Sequence, residues 1–275
     1  MFVTRFAPSP NGHLHRGHAF SALTAHAAAR AARGRFLLRI EDIDAGRCRP
    51  EFEAAILEDL AWLGVTWEQP VRRQSEHMDD YSAALKRLEV QGVLYRCFRT
   101  RRQLADDIAA APHGPVETFR GARLDPQEEA RRLAAGEGYA WRLSLAAAQS
   151  RLGGFDELTF RVAGRGDVQA RPERVGDVVL ARKDAPVAYH LAAVVDDALQ
   201  GVTHVIRGED LAEAPHIHRL LQALLGLPPP IYHHHRLILG PDGKRLAKRD
   251  RAESLASLRA GGMAPATLRR ELGFD

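Results

Sequence analysis

The chain has 275 residues, enough to bury the core of one large domain or of two modest ones. Hydrophobic residues make up 45% and charged residues 27%, which excludes disordered and fibrous classes, and the net charge of +4 permits binding to a polyanion without requiring it. No apolar run reaches the roughly 18 residues of a membrane span, and the N-terminus lacks a signal-peptide layout. We therefore expect a cytoplasmic protein with no membrane partner.

The first motif is a turn between a predicted strand and a predicted helix. The apolar residues Phe2 and Val3 predict the strand, and the alanine-rich run 19–32 predicts the helix. A strand-to-helix turn exposes backbone N–H groups and the positive end of the helix dipole, which together bind phosphate. The sequence therefore predicts a nucleotide site at this turn.

Three residues at the start of this helix support that interpretation. Gly17 would let a phosphate approach the backbone closely. His15 and His18, three residues apart, would offer ring N–H donors on one side of the helix. A capped helix start with two solvated histidines is the alternative for these residues taken alone.

A second strand, predicted over 35–40, is apolar enough for the interior of a parallel sheet. It ends in Glu41-Asp42-Ile43-Asp44, and polar residues at this edge of a parallel sheet lie in the crevice where such sheets bind ligands. A solvated acidic turn ahead of the next helix is the alternative for Asp42 and Asp44. Glu41 lies nearest the strand end and is the stronger candidate.

The later elements alternate between apolar helices and strands, with a more polar stretch in the middle. They are predicted as helices over 50–63 and 79–91, a strand over 93–97, strand-like runs over 139–143 and 156–161, a helix over 189–199, a strand over 203–207 and a helix over 211–225. The strand over 93–97 would complete a β-α-β-α-α-β opening of the nucleotide-binding kind. Arg207, Glu209 and Asp210 follow a buried strand and join the predicted crevice.

Two further stretches carry clustered basic side chains. The run His233 to His235 does not predict a metal site, because neighbouring residues of a strand point to opposite faces. The turn 240–243 precedes the basic segment 244–249, which taken alone is typical of a solvated surface or a general phosphate patch.

Two of these motifs resemble the signatures of class I aminoacyl-tRNA synthetases, in the form used by the glutamyl branch. Residues 5–18 resemble the first signature, and residues 245–249 resemble the second, with Ala247 where serine is frequent. The resemblance implies an α/β fold, a Rossmann-like parallel sheet with an α+β insertion and a short C-terminal helical segment. The implied segments are 1–98 and 171–240 for the two halves of the sheet, 99–170 for the insertion and 241–275 for the second-signature loop and C-terminal helices.

The resemblance also implies which residues form the site. Those for glutamate are Arg5, Phe6, Ala7, Pro8, Ser9, Glu41, Tyr189 and Arg207, and those for ATP are His15, Gly17, His18, Arg245, Leu246 and Lys248. The catalytic residues among them would be His15, His18 and Lys248. Arginine suits a carboxylate fork, Glu41 suits an ammonium, and a lysine near the departing pyrophosphate favours the transition state.

The segment after the second signature is short, and we expect no anticodon-binding domain. The chain therefore resembles the stand-alone glutamyl-queuosine tRNA(Asp) synthetase family, which activates glutamate and attaches it to the queuosine base in the anticodon loop of tRNA(Asp). This resemblance implies L-glutamate, ATP with Mg²⁺ and queuosine-containing tRNA(Asp) as partners. We also expect a monomer.

Many members of this family hold a zinc ion in the insertion through a Cys-x-Cys pair followed by Tyr and Cys. This chain matches Cys97 alone, since Arg99 stands at the second cysteine and Phe119 and Arg123 fall near the remaining positions. One thiolate cannot hold a structural zinc, which takes four ligands. We predict no zinc and no other metal site, and an insertion held by packing.

Other functions remain open at this point. A truncated glutamyl-tRNA synthetase charging a tRNA 3′ end would need an anticodon-binding domain. A small-molecule adenylyltransferase also uses an H-x-G-H turn but would ignore RNA. A catalytically dead RNA-binding module would have no need of intact His15, His18 and Lys248.

Overall fold

The structure, a computed structural model, describes residues 1–100, 103, 119–182, 186–238 and 253–274. The first elements are β1 (Val3–Phe6), α1 (Arg16–Ala31), β2 (Arg35–Ile40), α2 (Pro50–Trp62), β3 (Glu68–Arg73), α3 (Met78–Val90) and β4 (Leu94–Cys97). The next are α4 (Pro126–Ala134), β5 (Ala140–Leu143), α5 (Leu145–Leu152), β6 (Thr159–Val162), β7 (Gly166–Gln169) and β8 (Val179–Arg182). The last are α6 (Tyr189–Leu199), β9 (His204–Gly208), α7 (Ala214–Leu225), β10 (Ile231–His235), α8 (Leu255–Ala260) and α9 (Pro265–Glu271).

The chain divides into two compact units, each built from separated stretches of sequence. The first unit comprises Met1–His77, Gly201–Ala212 and Pro230–Asp275, and the second comprises Met78–Gln200 and Glu213–Pro229. The division into 1–98, 99–170, 171–240 and 241–275 that the sequence implies stays a prediction.

The first unit is built on parallel strands. β2 pairs in parallel with both β1 and β3, and β9 pairs in parallel with β10. The residue before β9 attaches it to β1, because the Thr203 N–H donates to the Val3 carbonyl at 2.9 Å. The predicted α/β class is confirmed in this unit.

Helix α1 covers one face of these strands because its alanine-rich side lets the backbones approach closely. Its buried residues join apolar side chains of β2 and α2 in one core, which includes Ala19, Ala22, Leu23, Ala25, Leu38, Ile40, Ile56 and Leu60. These small and branched side chains fill the space between helix and sheet, and they fix where the polar ends of the strands lie.

The second unit has antiparallel strands instead. β5 pairs antiparallel with β4 and with β8, and β6 pairs antiparallel with β7. The prediction that residues 93–97 complete a nucleotide-binding opening with the first two strands is therefore wrong, since β4 belongs to this antiparallel sheet. A short apolar run identifies a buried strand but does not specify its neighbour or its direction.

One buried carboxylate connects three separate segments of the second unit. Asp177, 4% exposed, accepts hydrogen bonds from the Tyr95 hydroxyl and from the Gly121 and Leu145 N–H groups, each at 2.9 Å. A side chain at Gly121 would collide with the Tyr95 ring, so the glycine permits this close approach. Asp177 thus ties β4, the chain before α4 and the start of α5 together.

Candidate active site

The turn after β1 is fixed to the end of β2 by backbone hydrogen bonds. The Glu41 N–H donates to the Pro8 carbonyl at 3.0 Å, and the Arg49 N–H donates to the Pro10 carbonyl at 2.9 Å. Phe6 and Pro8 are buried, whereas Ala7 and Ser9 are half-buried. The structure therefore brings the predicted glutamate residues of the turn next to Glu41 in the first unit.

The histidines of the turn cap helix α1 with one ring nitrogen each. His15 Nδ1 accepts from the Gly17 N–H at 3.1 Å, and His18 Nδ1 accepts from the His15 N–H at 3.2 Å, a reciprocal capping box. Because each Nδ1 accepts, the proton of each neutral ring lies on Nε2. The sequence left two interpretations open, a capped helix start and histidine N–H donors for phosphate. The structure allows both, because each histidine caps the helix through Nδ1 and carries its proton on Nε2.

The structure gives a reason for glycine at position 17 that does not depend on a bound phosphate. A Cβ atom at this position would lie 3.0 Å from Cε1 and 3.1 Å from Nδ1 of His15. A side chain at this position would therefore crowd the His15 ring that caps the helix. Gly17 therefore leaves room for the ring of His15, which lies against that of His18 with ring centroids 3.8 Å apart and planes tilted by 35°.

Glu41 is held by a buried cation that sequence reasoning did not assign. The side chain of Arg39 is fully buried, and its Nη2 lies 3.1 Å from Glu41 Oε1, whose side chain is 11% exposed. The buried guanidinium gives the half-buried Glu41 carboxylate a charged hydrogen-bond partner where few water molecules reach it. The signal in the sequence was a charged residue inside an otherwise apolar strand.

The acidic residues after Glu41 have structural roles. Asp42 accepts from the Ser75 N–H at 2.8 Å and from the Ser75 hydroxyl at 2.5 Å. Asp44 pairs with Arg47, and the hydrogen bond from that guanidinium lowers the pKa of the Asp44 carboxyl. Asp42 and Asp44 therefore belong to an acidic turn, which was the alternative interpretation of these two residues. Glu41 differs from both because its partner, Arg39, is buried.

Buried arginines stand near the carboxyl ends of two strands of the first unit. Arg5 on β1 is 6% exposed and Arg207 on β9 is 5% exposed. Buried guanidinium groups are rare unless they bind an anion or a carbonyl, and the Arg207 Nη2 donates to the Leu211 carbonyl at 3.1 Å. The first unit thus carries cations suited to a carboxylate and an anion suited to an ammonium.

Tyr189 belongs to the second unit, where it is the first residue of α6 and half-buried. Its ring packs against His190 and His218, with centroid distances of 5.3 and 5.8 Å. Its role in glutamate binding stays a prediction.

The second signature falls on residues that the structure does not describe. Arg245, Leu246 and Lys248 lie outside the described residues. The chain that follows them is joined to the first signature, since His15 and Ser254 form an antiparallel bridge and the Leu255 N–H donates to the Leu14 carbonyl at 2.8 Å.

Arg123 and Phe119, which fall near two of the expected zinc-ligand positions, make other contacts. The Arg123 guanidinium donates to the Gly92 and Leu94 carbonyls, and the Arg142 guanidinium lies 4.5 Å from the centre of the Phe119 ring. Within the described ranges, no group of three or more His, Cys, Asp or Glu side chains is placed to hold a metal ion. The residues present therefore do not fit the zinc of the family, and the absence of zinc stays a prediction.

The fold and the site define an α/β protein with a histidine-capped turn and with charged side chains near the carboxyl ends of parallel strands. The family model of class I tRNA synthetases for glutamate and glutamine, catalytic domain, matches residues 1–273. The chain belongs to this family and is therefore an ATP-dependent ligase, as the sequence motifs predict. No helix of the described part is long and apolar enough to cross a bilayer.

Within this family, the chain is similar to proteins of two kinds. A protein of Rhodobacter capsulatus named Glutamyl-Q tRNA(Asp) synthetase is 51% identical over 282 residues, covering 99% of this chain and all of that protein. One of the same name from Symbiobacterium thermophilum is 42% identical, covering 100% of this chain and 86% of that protein. The crystal structure of a glutamate tRNA ligase from Elizabethkingia meningosepticum in complex with its amino acid matches 90% of this chain with a TM-score of 0.75. The sequences of the two proteins are 31% identical. The present chain spans 52% of that ligase, about half its length.

Proposed function

We propose that this protein activates L-glutamate with ATP and transfers the glutamyl group to the queuosine base in the anticodon of tRNA(Asp). The observation that carries this proposal is the set of residues held by the first unit: Glu41 paired with buried Arg39, the buried Arg5 and Arg207, and the turn capped by His15 and His18. The relatives named Glutamyl-Q tRNA(Asp) synthetase support the acceptor, because this chain matches them over nearly its whole length.

The first step joins glutamate to AMP. An α-carboxylate oxygen of glutamate attacks the α-phosphorus of ATP, which enters as its Mg²⁺ complex, and the bond to pyrophosphate breaks. Glu41 would hold the ammonium of glutamate and the arginines a carboxylate, which binds the amino acid beside ATP. His15 and His18 would donate from Nε2 to phosphate oxygens, where negative charge increases in the transition state.

The second step transfers the glutamyl group to RNA. A hydroxyl of the queuosine base attacks the carbonyl carbon of the adenylate, AMP leaves, and the hydroxyl proton is released. This step requires positioning and no covalent enzyme intermediate. We further propose that the protein acts as a monomer in the cytoplasm.

Lys248, Arg245 and Leu246 are proposed to complete the ATP site. The support is the attachment of Ser254 and Leu255, a few residues further along the chain, to the residues that precede α1. Lys248 would then neutralise charge on the departing pyrophosphate.

Exchange of labelled pyrophosphate into ATP tests the activation step. We expect exchange that depends on glutamate, is not supported by glutamine or aspartate, and is lost in Lys248→Ala. Exchange without any amino acid, or with glutamine as efficiently as with glutamate, would contradict the proposal. The assay is run with and without tRNA(Asp), so that a requirement for RNA does not mask activity.

A further inference from the structure

The three consecutive histidines of β10 have no part in the function proposed above. Their rings alternate in the way expected of a strand: His233 lies beside His204, at 5.4 Å between ring centroids, and His235 lies beside Phe20, at 5.1 Å. The middle residue, His234, is paired in register with Arg207 of β9. The histidine run thus places one imidazole against a residue of the proposed glutamate pocket.

The guanidinium of Arg207 is held from several sides. Its Nε lies 3.5 Å from Nε2 of His234, its Nη2 donates to the Leu211 carbonyl at 3.1 Å, and its Cζ lies 5.3 Å from the centre of the Tyr232 ring. Tyr232 is 1% exposed, so its ring is itself fixed by packing. These contacts restrict both the rotation of the guanidinium plane and its position.

The contact with His234 has a defined chemistry. Arginine only donates hydrogen bonds, so Nε2 of His234 must be the unprotonated acceptor and Nδ1 must carry the proton of the neutral ring. A guanidinium binds a carboxylate best through two parallel N–H groups, which demands a fixed plane. An acceptor on Nε opposes rotation about the long and otherwise flexible arginine side chain.

We propose that His234 is a positioning residue that orients the Arg207 guanidinium for a carboxylate of the amino-acid substrate. The proposal rests on the proposed function, in which Arg207 binds glutamate. His234 acts through Arg207 and not on the reacting atoms. Its loss therefore weakens glutamate binding and leaves the chemical step of bound substrate unchanged.

The test compares His234→Gln with His234→Asn. The glutamine amide reaches about as far from Cβ as Nε2 of histidine, whereas the asparagine amide ends about one bond short. The two side chains have similar polarity, but only glutamine places an acceptor where Nε2 of His234 lies. In glutamate-dependent pyrophosphate exchange we expect His234→Asn to raise KM for glutamate roughly 10-fold, as for loss of a hydrogen bond to a charged group, with kcat and KM for ATP within about twofold. His234→Gln should restore KM to within about threefold of the wild type.

His235→Asn is the matched control, because it makes the same change on the opposite face of the same strand. We expect its KM for glutamate to equal that of the wild type. If His234→Asn does not purify as a folded protein, His234→Met, of similar length but without a strong acceptor, replaces it with the same expected rise in KM.

Several outcomes would overturn the assignment of His234. They are an unchanged KM in His234→Asn, an equal rise in His235→Asn, a rise in His234→Gln as large as in His234→Asn, or a fall in kcat at constant KM. Failure of the proposed function looks different, since the wild-type protein itself would then show no glutamate-dependent exchange.

Discussion

His18 uses its two ring nitrogens for different purposes. Nδ1 accepts the His15 N–H at the start of α1, while Nε2 carries the proton that the proposed mechanism directs at phosphate. An asparagine oxygen lies close to the position of Nδ1 but cannot replace Nε2. The substitution His18→Asn therefore separates helix capping from ATP binding.

We expect His18→Asn to keep the free energy of unfolding within about 1 kcal/mol of the wild type, because the cap is retained and only helix propensity changes. Pyrophosphate exchange should fall about 100-fold, the usual cost of removing one donor from transition-state charge. His13→Asn, an exposed histidine of the same turn, is the control and should keep full activity. Exchange within threefold of the wild type in His18→Asn would contradict the role of Nε2.

Glu41 and Asp42 are neighbours with different predicted roles. Glu41→Gln removes the charge proposed to hold the substrate ammonium, so KM for glutamate should rise about 30-fold or more. Asp42→Asn weakens the hydrogen bonds to Ser75 and should lower the free energy of unfolding by about 1 kcal/mol with KM almost unchanged. Steady-state exchange and urea unfolding distinguish the two effects, and an equal rise in KM in both variants would refute the assignment of Glu41.

The site residues that the sequence could predict belong to contiguous motifs. The turn from Arg5 to His18 and the carboxylate Glu41 were predicted because they accompany buried strands, and their roles stay predictions. Arg39 was not assigned, because its partner depends on how an inward-facing side chain of β2 is accommodated, which no spacing rule describes. The contact of His234 with Arg207 depends on the register of β9 and β10, which is a tertiary property.

At the scale of elements, α8 is joined to α2 by one arginine shared between two acidic residues. Arg259 pairs with Glu58, whose side chain is 62% exposed, and its Nη2 lies 3.4 Å from Oδ1 of the fully buried Asp59. Burial raises the pKa of the Asp59 carboxyl above its ordinary value of 3.8, and Arg259 opposes that rise. Arg259 therefore offsets the cost of an ionised carboxylate inside the first unit.

We expect Arg259→Met to lower the free energy of unfolding by about 3 kcal/mol near neutral pH, because it leaves Asp59 buried without its cation. The pKa of Asp59 then rises further in the folded state, which binds more protons than the unfolded state. Stability recovers as the pH falls toward that folded-state pKa, so the loss should be smaller at about pH 5 than at about pH 7.5 in urea unfolding. Glu58→Gln is the control and should lower the free energy of unfolding less than Arg259→Met does at neutral pH. If the destabilisation by Arg259→Met is the same at both pH values, this explanation is contradicted.

Helices and strands were predicted correctly where the spacing of the apolar residues matches the pattern of buried residues in the structure. β2 and α6 have the bounds that their apolar runs predict, and the other predicted elements are displaced by a few residues at their ends. β3 was missed because its sequence, Glu-Gln-Pro-Val-Arg-Arg, is polar and contains Pro70, as an outer strand permits. β4 was assigned to the wrong sheet because strand direction is decided by partners far away in the sequence.

For the protein as a whole, the proposed function requires that glutamate is transferred to an anticodon base and not to a tRNA 3′ end. The match to the glutamate tRNA ligase of known structure covers 52% of that ligase, whereas the Rhodobacter capsulatus protein is matched along its entire length. The catalytic residues alone do not decide between the two acceptors, because both reactions begin from the same adenylate.

The most direct measurement is incorporation of labelled glutamate into purified tRNA(Asp) that contains or lacks queuosine, followed by nuclease mapping of the labelled nucleotide. We predict label only in the queuosine-containing tRNA and only at the modified anticodon nucleotide. Label at the 3′-terminal adenosine, label in tRNA(Glu), or equal labelling of tRNA(Asp) without queuosine would contradict the account.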